Sequence, residues 1–192
     1  MHALARITLP VAALLALAGC QAAATPVATT SGSPAASSPA ASANSADVMF
    51  TQMMIPHHEQ AVVMSDLILA KQGISAEVTK LAEQIKAAQQ PEIDQMKGWL
   101  KEWGASEHSD HTGHGGMDGM LSQEQLDAIE DAQGTEAEKL FLTGMIGHHE
   151  GAVTMAKQVQ AEGSDTEVRA LADAIITSQQ AEIDQMKKML DA

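Results

Sequence analysis

The sequence predicts an all-α protein, a four-helix bundle built from two repeated helical hairpins. Four observations predict it. Aromatic residues make up 2% of the 192-residue chain and tyrosine is absent. Alanine, leucine, methionine, glutamine and glutamate dominate the second half, a composition that favours helix over strand. An internal repeat then divides the chain into two similar halves. Setting His57-His58-Glu59 on His148-His149-Glu150 aligns Phe50 with Phe141, Met54 with Met145 and Met64 with Met155. With one residue removed in the following turn, "AAQQPEIDQMKGWL" (87–100) matches "TSQQAEIDQMKKML" (177–190). Finally, each half holds two long helical patterns split by a short turn, and short connections make neighbouring helices antiparallel.

The N-terminus reads as a processing segment. Residues 7–18, "ITLPVAALLALA", form an apolar run too short to span a membrane comfortably. It ends in "LAGC" (17–20), which resembles the bacterial lipobox, so residues 1–19 are expected to be a lipoprotein signal peptide and Cys20 the lipidated residue. Cys20 is the only cysteine, so no intramolecular disulfide can form. Residues 20–45 are rich in Ala, Ser, Thr, Pro and Gly and carry no charge. They cannot bury a core and read as a disordered tether.

The helical domain covers 46–191, with repeats at 46–104 and 135–191 and a linker at 105–121. The first helix is expected from about Asp47 to Lys71, breaking at Gly73, with Pro56 as a kink or break. The second starts after Ser75 as N-cap, contains Pro91, and runs to about Trp103-Gly104. A short helix spans Ser122 to Ala132, with Ser122 as cap. Thr135 is expected to cap a helix reaching about Ala161. Gly163 ends it, and Asp165 or Thr166 begins the last helix, to about Leu190. The linker "EHSDHTGHGGMDGM" (107–120) has no apolar periodicity. Its His108, His111, His114, Met117 and Met120 suggest an accessory, loose metal site.

The net charge of −14 argues against nucleic acid as a partner, because phosphate binding needs a basic surface. It is compatible with attracting cations.

At about 100° per residue, Phe50, Met53, Met54, His57, Ala61, Met64 and Ile68 share one face. His58 lies at its edge, while Glu59 points to water. In the other half Phe141, Met145, His148, Ala152 and Met155 face inward, His149 lies at the edge and Glu150 outward. On the partner helix Val78, Leu81, Ile85, Ala88, Gln89, Glu92, Met96, Trp99 and Trp103 share a face. Gln179, Glu182, Met186 and Met189 match it in the second repeat. Glu92 and Glu182 thus sit among apolar positions, and a buried carboxylate needs a partner such as a histidine N–H or a metal.

Methionine at helical spacing is ordinarily core packing, and a single inward histidine is ordinarily a hydrogen-bonded core residue. The combination points further. In each half a His-His pair lies one turn from a Met, with a second Met two turns on and a third on the partner helix. Thioether sulfur suits soft Cu(I), and imidazole suits copper in either oxidation state. A nearby carboxylate can ligate or orient an imidazole. Structural zinc more often uses cysteine, and calcium and magnesium want oxygen. Carboxylate-bridged di-iron bundles use Glu-x-x-His motifs, which are missing from the inward faces. Met plus His is a workable way to hold copper, with silver a close chemical alternative.

The motifs "MMIPHHEQAVVM" and "FLTGMIGHHEGAVTMA", each followed by "EIDQM", resemble the DUF305 family, which includes CopM-type copper-binding proteins. The resemblance covers roughly residues 46–190. It implies a ferritin-like helical bundle outside the cytoplasm that binds copper and contributes to copper tolerance. Carried over by motif, the metal ligands are Met54, His57, His58 and Met64 in the first half and Met145, His148, His149 and Met155 in the second. Met96 and Met186 are helpers, and Glu92 and Glu182 act behind the ligands. Gly144 departs from the pattern where the first repeat has Met53, which makes the second site poorer in sulfur.

The expected function is a membrane-tethered, extracytoplasmic copper-binding protein that buffers metal or passes it to a transfer partner, and catalyses nothing. A ferritin-like metal-dependent oxidase using Glu92 and Glu182 is the alternative enzyme. A structural interaction module, with the methionines as adaptable core, is the alternative without metal.

Overall fold

The computed structural model describes residues 43–107 and 118–191. Cys20 with its signal peptide, the tether to residue 42, and His108, His111, His114 and Met117 lie outside the described residues. Among the described residues there are helices and turns but no strands. The helices are α1 (Ser45–Leu69), α2 (Ala76–Trp103), α3 (Gln123–Asp131), α4 (Gly134–Glu162) and α5 (Thr166–Leu190). None of them is long and apolar enough to cross a membrane.

Local chemistry sets the ends. Asn44 caps α1, its side chain accepting from the Ala46 and Asp47 amides while Asp47 accepts from the Asn44 amide. Ser75, Ser122 and Asp165 cap α2, α3 and α5. Gly104 ends α2 in the left-handed region at φ 65°, where a side chain would be strained. Thr135 is not a cap. Gln133 holds that position without a side-chain hydrogen bond. Gly134, at φ 53°, turns the chain out of α3, so turn geometry rather than a hydroxyl starts α4. Neither Pro56 nor Pro91 breaks its helix.

α1 packs on α2 and α4 on α5 as two hairpins, joined through α1 against α4, with α3 across both. α1 and α4 run antiparallel, since Met54 shares one core cluster with Met155 and Met64 shares the other with Met145. The α2 seam differs from a plain helical projection. Ala88 is exposed, whereas Ala82, Ile93 and Leu100 are buried. A bundle seam repeats near every 3.5 residues, so a straight projection drifts by roughly 20° per heptad.

Each hairpin locks the other's turn. Buried Asp47 accepts hydrogen bonds from the Ser164 amide at 3.0 Å, the Asp165 amide at 3.1 Å and the Ser164 hydroxyl at 3.1 Å. Glu138, its counterpart in the repeat, accepts from the Ser75 amide. Burial pushes the Asp47 carboxyl up, but its hydrogen bonds outweigh this and hold it below its usual value. Replacing Asp47 by Ala removes these hydrogen bonds. We expect a loss of about 2–4 kcal/mol, measured by urea unfolding. A change under about 0.5 kcal/mol, typical of a neutral surface site, would contradict the lock.

Candidate metal centre

The helical repeat places Met54 one turn before His57 and His58 on α1, and Met145 one turn before His148 and His149 on α4. All four histidines are 0% exposed. His58 and His149, at the edge of the inward face, are buried as well because the partner helices close over them. His58 Nε2 lies 2.7 Å from Glu92 Oε2 on α2, and His149 Nε2 lies 2.7 Å from Glu182 Oε2 on α5. Glu92 and Glu182 are half-buried, with side chains 21% and 19% exposed. They keep one side toward water and meet the buried-carboxylate requirement with an imidazole N–H. Glu59 and Glu150 do point outward, paired with Lys97 at 2.7 Å and Lys187 at 3.1 Å.

His57 and His148 meet at the centre of the bundle, their rings 3.7 Å apart and tilted by 39°. His57 Nε2 lies 3.3 Å from the Asp118 carbonyl. Burial, reinforced by the neighbouring His58, pushes His57 down to about 3. Burial drives His148 well below the usual value too, with His57 and His149 adding to it. Both central rings are thus neutral at physiological pH, and a neutral imidazole has one nitrogen lone pair to give.

Among the described residues, five imidazole nitrogens are buried without a hydrogen-bond partner: Nδ1 of His57, His58 and His149, and both nitrogens of His148. A carboxylate on Nε2 leaves Nδ1 of the neutral ring as the acceptor, the arrangement that orients a ligating histidine. So many orphaned polar atoms are expensive in a core unless something binds them. Gln89 and Gln179, matched in the repeat, also carry buried atoms without partners. Among the described residues, no three His, Cys, Asp or Glu side chains converge on one point. Buried thioethers are the remaining soft donors in the core.

The methionines are placed differently from the motif grouping. Met54 and Met96 share a core cluster with Met155, while Met145 and Met186 share the other with Met64. Met64 and Met155 have exchanged halves. Ten residues separate Met54 from Met64, about 15 Å along a helix, so one end of the site cannot use both. Because α1 and α4 are antiparallel, each end takes two methionines from its own hairpin and one from the other. Met155 is 9% exposed and the other five are 0%. The thioether missing at Gly144 has a spatial replacement, since a Cβ there would lie 3.3 Å from the Met64 methyl and 2.9 Å from Leu121 Cδ2.

Sequence reasoning missed what covers the centre. The segment from Asp118 to Leu121 lies against α4, where a Cβ on Gly151 would come 1.9 Å from the Asp118 carbonyl oxygen. Gln60 clamps Leu121, donating to its carbonyl at 2.9 Å and accepting from its amide at 2.8 Å. The signal was present in Gly144, Gly147 and Gly151, spaced three and four apart on one helix face. Met120 is half-buried in a surface groove beside Gly147.

A family model described as "Domain of unknown function (DUF305)" matches residues 47–190. The chain belongs to the DUF305 family. A DUF305 fragment from Deinococcus radiodurans is 31% identical, with a TM-score of 0.71 over 78% of this chain and 97% of that one. A DUF305 protein from Streptomyces coelicolor, described as secreted, is 32% identical, with a TM-score of 0.69 over 76% and 91%. CopM in its Cu(I)-bound form is 34% identical, with a TM-score of 0.65 over 76% and 95%. CopM has also been solved with Cu(II) and with Ag bound. An uncharacterised protein of Acanthamoeba polyphaga mimivirus is 44% identical over 54 residues, and this DUF305 chain spans only 36% of its length.

Proposed function

We propose that this protein is an extracytoplasmic, membrane-tethered copper-binding protein that sequesters or hands on the metal without transforming it. The observation that carries this reading is the set of five partnerless buried imidazole nitrogens between two groups of buried thioethers. Neutral imidazole with thioether is a donor set for a soft monovalent ion, so Cu(I) is favoured, with Ag(I) equivalent and Cu(II) held through imidazole alone. His57, His58, His148 and His149 are the primary ligands. Met54, Met96 and Met155 serve one end, and Met64, Met145 and Met186 the other. Glu92 and Glu182 hold His58 and His149 in their ligating tautomers. The copper- and silver-bound forms of CopM support the cargo. The secreted relative supports the compartment, and "LAGC" the anchor at Cys20.

Competition titration of Cu(I) against a chelator tests the reading. Changing His57, His58, His148 and His149 together to Ala is expected to weaken binding at least about 100-fold, about 2.7 kcal/mol. Affinity retained by that variant, with the fold intact by circular dichroism, would refute it.

A further inference from the structure

The two ends of the centre are alike in their buried donors but differ in the side chains that line their openings to solvent. At one end a surface cavity of about 30 Å³ is lined by Met49, Phe50, Met53, Met155, Val159 and Glu162. That volume holds one water or a bare ion and excludes an organic molecule. Met49 is 39% exposed, Met53 is half-buried and Met155 is 9% exposed. Exposure thus falls from Met49 through Met53 to Met155, which belongs to the cluster that contains Met54 and Met96.

Met49, Met53 and His57 are also spaced four apart, so they follow one another along the same row of α1. The other end opens on a wider groove of about 340 Å³ lined by Met120, Leu121, Leu140 and Gly144, but its α4 row carries no thioether. The repeat puts Leu140 opposite Met49 and Gly144 opposite Met53. The counterpart of Met155 is Met64, which is 0% exposed. Leu121 and the Met64 methyl fill the space beside Gly144. A core methionine needs no exposed thioether neighbours, and packing gives no reason for sulfur at Met49.

We propose that Met49, Met53 and Met155 form the entry port through which a soft monovalent cation passes from solvent to the buried histidines. This rests on the copper reading above. Thioethers bind such an ion without neutralising its charge, so each hold is weak enough to release it inward. Glu162 at the rim, within a chain of net charge −14, draws the cation to the opening.

The test is the rate at which the full chain takes Cu(I) from a coloured bicinchoninate complex, with wild type compared to Met49→Leu with Met53→Leu. Leucine conserves volume, and Met49→Leu alone, at an exposed position, covers the case where the pair misfolds. The expected result is uptake slowed about tenfold with final stoichiometry and affinity unchanged. Met189→Leu, a half-buried methionine away from the port, is expected to leave the rate unchanged. An unchanged rate in the double variant overturns the port while leaving copper binding in place. Lost stoichiometry overturns it too, because the methionines would then be ligands rather than a path. No uptake by wild type refutes the copper reading itself.

Discussion

Acidifying the metal-free protein below about pH 6.5 is expected to destabilise it by about 1.4 kcal/mol per pH unit through His57, with His148 acting in the same direction. His57 is pushed down to about 3 in the folded chain, and His148 also lies well below its usual value. In the unfolded chain both take up protons near the ordinary 6.5. Between those limits the unfolded state binds more protons, so stability falls as pH falls, and the penalty is complete only below the folded value. By about pH 5 the loss through His57 alone reaches about 2 kcal/mol, a sizeable share of the 5–15 kcal/mol that typical domains possess, and His148 adds to it in the same direction. Asp47 acts in the same direction but later. Its carboxyl is held below 3.8, so its contribution is lost only as pH drops through that lower value. A urea-unfolding series from neutral pH downward separates the two windows. A flat profile down to about pH 5 would contradict neutral, buried rings. Changing His57 and His148 together to Gln is expected to flatten the early phase and leave the later one.

The second large effect is stabilisation by the cargo. Cu(I) at about a thousandfold above its dissociation constant is expected to raise the unfolding free energy by about 4 kcal/mol per site. Ag(I) should match it. Mg²⁺ and Ca²⁺ should do nothing, since thioether and imidazole do not suit them. An interaction module with methionine packing alone would melt at the same temperature with or without copper. The exchange of Met64 and Met155 between halves gives a sharper form of the test. In a His58→Ala background, binding depends on the end built around His149. There Met64→Leu is expected to weaken Cu(I) binding about tenfold, or 1.4 kcal/mol, and Met155→Leu to spare it. The reverse outcome would restore the grouping by repeat.

The repeat carries much of this architecture openly. Two copies of one hairpin pattern, with Ser75, Ser122 and Asp165 as caps and Gly73, Gly104 and Gly163 in the turns, define the helices nearly to the residue. Thr135 misled because a hydroxyl near a helix start looks like a cap, while a glycine with positive φ made that turn. Ala88 misled because a straight helical projection drifts against a bundle seam. The inward histidines and methionines followed from helical spacing, which also turned Glu59 and Glu150 outward.

By itself the sequence determined the helices, the two hairpins and which side chains enter the core, because these depend on periodicity and on local hydrogen bonding. Tertiary structure alone decided which donors share an end. The antiparallel crossing of α1 and α4 sends Met64 to Met145 and Met155 to Met54, and it presses His57 against His148. It also decided that Glu92 and Glu182 reach His58 and His149, and that Met49 and Met53 line the opening at one end while Met120, Leu121 and Gly144 line the groove at the other. Sequence neighbours within one helix cannot report these relations. They depend on how two separate helices cross, and that crossing is set by packing across the whole bundle.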